Sequence, residues 1–251
     1  MWSVSKTKIN EYGQPGGETI ILLDGIGPKF RHLGLMINML QKPGRRVLLI
    51  DYPSTRNTIE SLVEEELVPA IASAKIEREQ PLHFVTFSMG GLMARTYLKD
   101  HAPANLGRVV HIAPPNHGSE VADWLKKIPL FRWGFGKSGQ QLTTDSTSLP
   151  NTLGPACYEA GVIAGCRSLD PWFGWMFKGP NDGKVSVESA RLDGMTDFAI
   201  VPSSHYLIMN HPQTLALTDR FLQEGNFGKT RQTKGYAAPT AMVNHTHSPN
   251  T

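Results

Sequence analysis

Six short apolar runs, separated by segments of helical spacing, constrain this chain more than any other feature of its sequence. Thr19–Asp24 (TIILLD), Arg46–Asp51 (RVLLID), Leu82–Phe87 (LHFVTF) and Arg108–Ala113 (RVVHIA) read as buried strands, and Val162–Gly165 and Asp197–Val201 (DFAIV) continue the series. Between them, Phe30, Leu33, Leu35, Ile37 and Leu40 suit a helix stopped by Lys42-Pro43-Gly44. Asn57–Glu79 sets Ile59, Leu62, Val63, Leu67, Ala70 and Ile71 among acids, an amphipathic helix that Pro69 should bend or split. SMGGLMARTYLKDH, from Ser88, is a further helix, and a last one, Gln213–Glu224, meets Gly225 at its cap. Strands alternating with helices imply a mostly parallel sheet covered on both faces, so the fold class is α/β. At 251 residues the chain fits one domain over 1–228, with an inserted segment at about 119–150 where the alternation weakens.

Several function classes fall away. No apolar run approaches the ~18–20 residues that cross a bilayer. The formal charge of +3 is carried by a tail: Gly225 to Thr251 holds Lys229, Arg231 and Lys234 and no acid, leaving 22 residues of each sign before it. No basic stripe remains on the body to bind nucleic acid. The tail, 229–251, lacks periodicity and is expected to be disordered. Cys157 and Cys166 are too few for a disulfide scaffold; free thiols are expected in a reducing cytosol, one small loop disulfide in an oxidising compartment. MWSVSKTKINEYGQPGG lacks the apolar core of a signal peptide, which points to the cytoplasm, a precursor with its signal removed being the other route. Asp24-Gly25-Ile26-Gly27 follows a strand but has Phe30 where a dinucleotide fingerprint needs glycine, and Gly136-Lys137-Ser138 lacks the first glycine of a P-loop. No metal-binding spacing is present outside the tail's His245-x-His247, so neither cofactor nor metal is expected.

The strongest chemical signal is Val85-Thr86-Phe87-Ser88-Met89-Gly90-Gly91, where a strand delivers a serine at a turn and a helix begins at once. This is the setting of a nucleophile elbow. The same residues also suit a serine that merely caps a helix. Thr86 stands where the elbow usually has glycine, and a β-branched residue there should strain or shift the turn. Asp182, in the polar turn Pro180-Asn181-Asp182-Gly183, and His205, just after DFAIV, follow in the order Ser, Asp, His. His211 is a second histidine in reach, but it precedes Pro212 and so belongs to a helix start, whose dipole disfavours an imidazolium.

With ILLDGIG, FSMGG, APPNHGSEVADWL, GPNDGKVSVESA and SHYLIMNHP in this order, the chain resembles the lipase-like α/β-hydrolases, bacterial esterases and lipases with a short cap, over about 19–228. Asp24 departs from the family's usual histidine before that glycine. The resemblance implies an α/β-hydrolase fold and hydrolysis of esters by Ser88, Asp182 and His205. The backbone N–H groups of Ile26 and Met89 would receive the oxyanion. Trp124, Trp133, Trp172 and Trp175, with Leu125, Phe131, Phe135 and Phe173, read in part as cap and acyl-binding wall, in part as plain packing. With no cationic clamp in sight, an uncharged small-molecule or lipid ester is favoured. The competing readings are a noncatalytic α/β-hydrolase-fold binding protein and an acyltransferase or thioesterase using the same triad.

Overall fold

The structure is a computed structural model that describes residues 6–27, 33–170 and 176–228, with backbone alone at 129–133. The expected start of the first helix at Phe30, the aromatic residues 172, 173 and 175, and the tail 229–251 lie outside the described residues. A seven-stranded sheet is built from β1 (Lys8–Gly13), β2 (Glu18–Leu23), β3 (Arg45–Asp51), β4 (Leu82–Phe87), β5 (Leu106–Ile112), β6 (Ala160–Gly165) and β7 (Asp197–Val201), in the order β1-β3-β2-β4-β5-β6-β7. All neighbours run parallel except β1, which is antiparallel to β3.

Apolar periodicity misses β1. KINEYG lies at the sheet edge, and its two apolar side chains, Ile9 and Tyr12, are only half-buried. It is held by its antiparallel ladder to β3 and by an ion pair: Arg46 donates from Nε and Nη2 to the two carboxylate oxygens of Glu11 at 2.7 and 2.9 Å. That hydrogen-bonded guanidinium holds the Glu11 pKa below its ordinary value.

Successive side chains of a strand face opposite sides of the sheet, and the core divides accordingly. Ile20, Leu22, Val85 and Ile112 pack on α1 (Gly34–Leu40) and on the last helix. Ile21, Leu23, Phe84 and Val109 pack on the other face, against helices that begin at Ile59 and Met89. The amphipathic segment expected over 57–79 ends early and is not one helix. It comprises α2 (Ile59–Leu62), a π-helical stretch (Val63–Leu67) and α3 (Val68–Ser73). Pro69 falls in the first turn of α3, where a missing N–H costs little, and the wide turn precedes it.

The helix α4 (Met89–His101) follows β4 without a loop. Between β5 and β6 the chain forms α5 (Glu120–Leu125), α6 (Pro129–Gln140), kinked at Gly136 with φ 65°, and α7 (Leu149–Thr152). The short α8 (Val187–Ala190) leads to β7, and α9 (Pro212–Glu224) closes the fold on Gly225, left-handed at φ 74°. The described residues contain no helix long and apolar enough to cross a membrane. After β2 the chain winds outward to β3, then returns across β2 to begin β4. β2 and β4 are thus neighbours from which the chain departs in opposite directions, and such a switch point opens a crevice at the strands' carboxyl ends.

Candidate active site

Ser88 stands at that crevice, immediately beyond β4. Its backbone is at φ 51°, ψ −124°, a conformation that costs a non-glycine residue roughly 1–3 kcal/mol and persists only where the surroundings enforce it. They do. The Ser88 N–H donates to Ile112 O of β5 at 2.9 Å, and Ser88 O accepts from the Gly91 N–H at 2.9 Å. Gly90 is required by close approach: a Cβ there would lie 2.5 Å from Leu23 O and 2.8 Å from Asp24 O. The same approach sets Gly25 against the serine, where a Cβ would stand 3.1 Å from Ser88 Cβ.

Two loops at the far side of the sheet bring in the other sequence-predicted side chains. His205, just past β7, has Nε2 3.0 Å from Ser88 Oγ and Nδ1 2.7 Å from Asp182 Oδ2. Asp182, 2% exposed, is saturated: its Oδ1 accepts the N–H groups of Lys184 and Val185 at 2.9 and 2.8 Å. The His205 N–H donates to Asp182 O at 2.9 Å, joining the two loops through backbone as well as side chain. The His205 ring leans on Phe87 at 4.9 Å between centroids. His211 is placed elsewhere, capping α9 by accepting the Gln213 N–H at Nδ1.

The turn after β2 carries a framework that sequence reading did not single out. Tyr52, fully buried beyond β3, donates its hydroxyl to Asp24 O at 2.7 Å. Burial first, and then the Asp24 charge, push the Tyr52 pKa up, so the phenol stays a donor. Asp24 Oδ1 takes the Gly25 N–H at 2.7 Å, and Ser54 Oγ takes that of Gly27 at 3.3 Å. The Ile26 N–H between them has no acceptor among the described residues. The Met89 N–H is the first of α4, where no intrahelical acceptor exists.

The backbone of Thr86 is not itself the strained position of the elbow. Thr86 lies within β4 in regular register with His111 of β5, and its hydroxyl stands 2.9 Å from His111 Nδ1. The unusual backbone falls two residues later, on Ser88, and across the sheet on Ala113 at φ 48°.

A cavity of about 620 Å³ opens beside Ser88 and His205. Ile26, Phe87, Val121, Leu125, Phe135 and Leu142 give it apolar walls. Of the predicted aromatic wall, Phe135 takes part, whereas the side chains of 131, 133, 172, 173 and 175 lie outside the described residues. Contrary to the expectation of no cationic group, Lys184 lines the cavity, its Nζ 2.9 Å from Asp170 Oδ2 and 5.6 Å from the centre of the Tyr206 ring. No three His, Cys, Asp or Glu residues among those described group to hold a metal. Cys157 is exposed, Cys166 half-buried, and both are free thiols.

No protein-family model matches the sequence, and no curated protein matches it. Solved structures do match. The mature form of lipase BlEst2 from Bacillus licheniformis superposes with a TM-score of 0.60 at 17% identity, over 86% of this chain and 97% of that one. The enol-lactonase from Burkholderia xenovorans LB400 gives 0.57 at 17%, over 87% and 96%. Esterase EaEST from Exiguobacterium antarcticum gives 0.55 at 15%, over 86% and 92%. At these identities the likeness is one of fold: the chain has the α/β-hydrolase fold.

Proposed function

We propose that this α/β-hydrolase-fold chain cleaves uncharged carboxylic esters through an acyl-enzyme formed on Ser88. The observation that carries the reading is the run of contacts from Ser88 Oγ to His205 Nε2 (3.0 Å) and from His205 Nδ1 to Asp182 (2.7 Å) at the mouth of an apolar cavity. A serine hydroxyl is a weak nucleophile, so His205 Nε2 takes its proton as Oγ attacks the acyl carbon. Asp182 keeps its charge, holds the imidazole with Nδ1–H toward it, and stabilises the imidazolium that forms. The two N–H groups that Asp182 also accepts stop the carboxylate from turning away.

The oxyanion of the tetrahedral intermediate is received by the N–H groups of Ile26 and Met89. Each such donor is worth about 10²–10³ in rate, provided that it is fixed before the reaction. Tyr52, Asp24 and Ser54 fix the first through the turn that bears it, and α4 fixes the second. His205 then returns its proton to the leaving alkoxide. A water, deprotonated by the same nitrogen, attacks the acyl-enzyme, releases the acid and restores Ser88. The β5–β6 connection serves as the cap, since Val121, Leu125, Phe135 and Leu142 supply walls for an acyl chain. An uncharged substrate is consistent with the Lys184 charge being met by Asp170.

Labelling by a serine-directed fluorophosphonate, with hydrolysis of p-nitrophenyl butyrate in parallel, tests the reading. Wild type should be labelled on Ser88 and turn over; Ser88→Ala should do neither while unfolding as cooperatively as wild type. A wild-type chain that takes no label would favour the noncatalytic binding protein, and a turning-over Ser88→Ala would sink the mechanism.

A further inference from the structure

The residue at the elbow's glycine position does not stand alone. Thr86 and His111 are direct partners across β4 and β5, at the second-last pairing before Ser88. Both are wholly buried on the face covered by α4. That face is otherwise apolar along these strands, so two polar side chains there need a reason. The Thr86 hydroxyl is 2.9 Å from His111 Nδ1 and 3.4 Å from Val110 O, and His111 Nε2 is 3.3 Å from the Tyr158 hydroxyl. Both ring nitrogens are therefore engaged, one donating and one accepting, as a neutral imidazole requires. Full burial, and then the nearby Arg95 guanidinium, pull the His111 pKa down to about 3, which keeps the ring neutral.

The first turn of α4 lies on this pair. A Cβ at Gly91 would come within 3.3 Å of His111 Nδ1, 3.5 Å of Thr86 Oγ1 and 3.1 Å of Pro114 Cβ. Thus the volume that a glycine at position 86 would leave open is filled, and the bare Gly91 lets the helix settle on what fills it. β5 grips the strained serine from the same stretch: His111 holds the side chain two residues before it, and Ile112 O accepts the Ser88 N–H.

We propose that Thr86 and His111 are a positioning pair, anchored by Tyr158, that sets the geometry of Ser88 in place of the customary elbow glycine. The inference rests on the serine-hydrolase reading, and it runs against the expectation from sequence that a β-branched residue at 86 strains or shifts the turn. Neither residue touches the reacting atoms; they act through the backbone of 87–91. Removal of the hydroxyl leaves His111 Nδ1 a buried polar atom without its partner, and movement of the elbow relieves it.

The test is the second-order rate constant for fluorophosphonate labelling of Ser88, which reports the nucleophile whatever the natural ester is. It is measured with kcat, KM and Tm in Thr86→Ser, Thr86→Gly and Tyr158→Phe. Thr86→Ser keeps the hydroxyl and should label within about twofold of wild type. Thr86→Gly should label about ten- to a hundredfold more slowly, with kcat lowered and KM little changed, because small misplacements of a reacting group carry losses of that size. Should Thr86→Gly fail to fold, Tyr158→Phe, which frees only the outer ring nitrogen, decides by a several-fold loss in the same rate constant. Labelling by Thr86→Gly as fast as wild type or faster, or a lowered Tm with no change in labelling in either variant, overturns the pair. A wild type that does not label removes the hydrolase reading and this inference together, whereas wild-type labelling with an indifferent Thr86→Gly removes only this one.

Discussion

Two buried histidines, one inside the sheet and one in a loop beyond it, illustrate how surroundings decide what an imidazole is for. His205, at the carboxyl end of β7, has a carboxylate on one nitrogen and a serine hydroxyl on the other, and it borders a cavity. His111, inside β5, has hydroxyls on both nitrogens and no access to solvent. A carboxylate partner makes the protonated ring affordable, and a pair of hydroxyls in an apolar layer does not. The first arrangement suits a proton carrier, the second a neutral strut. His211 completes the contrast as a helix cap, with one nitrogen accepting a backbone N–H.

The comparison breaks first on activity. His205→Ala should lower kcat by roughly 10⁴–10⁶, about as much as Ser88→Ala, because members of a triad act as a unit. Stopped assays on p-nitrophenyl butyrate at pH 8 read this directly, and a similar collapse in His211→Ala would mean that the wrong histidine has been assigned the proton. Asp182→Asn should fall nearly as far, by about 10⁴, since the amide no longer selects the tautomer that leaves Nε2 free. Retention of more than a tenth of the activity in that variant would show that Lys184 and Val185 N–H groups hold the loop without needing the charge.

Tyr52→Phe should cost about tenfold in kcat with a smaller change in KM, as the carbonyl before Gly25 loses its donor and the Ile26 N–H its fixed direction. An unchanged kcat would take the turn's rigidity away from Tyr52 and leave it to Gly90 packing on Leu23 O.

Acid stability sharpens the contrast from the other side. His111 has a folded pKa near 3 against 6.5 when unfolded, so below 6.5 the unfolded chain binds the extra proton. Its contribution to stability is whole above pH 6.5 and is lost as pH falls toward 3. His83, whose pKa is lowered chiefly by burial, acts in the same direction. Glu11 sits below its ordinary 4.5 and adds acid lability only beneath that value. The unfolding free energy from urea melts should therefore fall between pH 6.5 and 4.5, by up to about 1.4 kcal/mol per pH unit from His111, with His83 adding to the loss in the same direction. His111→Phe should flatten that slope whatever it does to stability at pH 8, and an equally steep slope would leave the loss to His83 alone. The smallest effect is expected from His211→Ala: about 1 kcal/mol from the lost cap, read as a lower Tm, with kcat within a fewfold of wild type.

Much of this architecture is legible in residue order. The runs TIILLD, LHFVTF and DFAIV are legible as strands because short, mostly apolar stretches alternate with helical spacing, as in a parallel sheet covered on both faces. Ser88 and His205 stand out because each comes shortly after a strand, and Asp182 because it lies in a polar Asn-Asp-Gly turn between them in the chain. The edge strand KINEYG did not stand out, since an edge needs only one apolar face and its ion pair with Arg46 is a matter of folding. The helix expected over 57–79, with a bend or split at Pro69, ends at Ser73, and its break is a widened turn at 63–67 that apolar spacing does not register.

Local sequence thus determined the α/β class, the position of the serine between strand and helix, and the order of the three polar residues, all properties of neighbours along the chain. Tertiary structure alone decided the rest. It made Thr86 a hydrogen-bonding residue, since His111 lies 25 positions away and reaches it only through strand pairing. It set the Asp24 turn on Tyr52 and gave Lys184 an ion partner in Asp170. Propensity and periodicity act over a few residues, whereas the partner of a buried polar group is fixed by whichever distant segment packing brings within 3 Å, and that is chosen by the core as a whole.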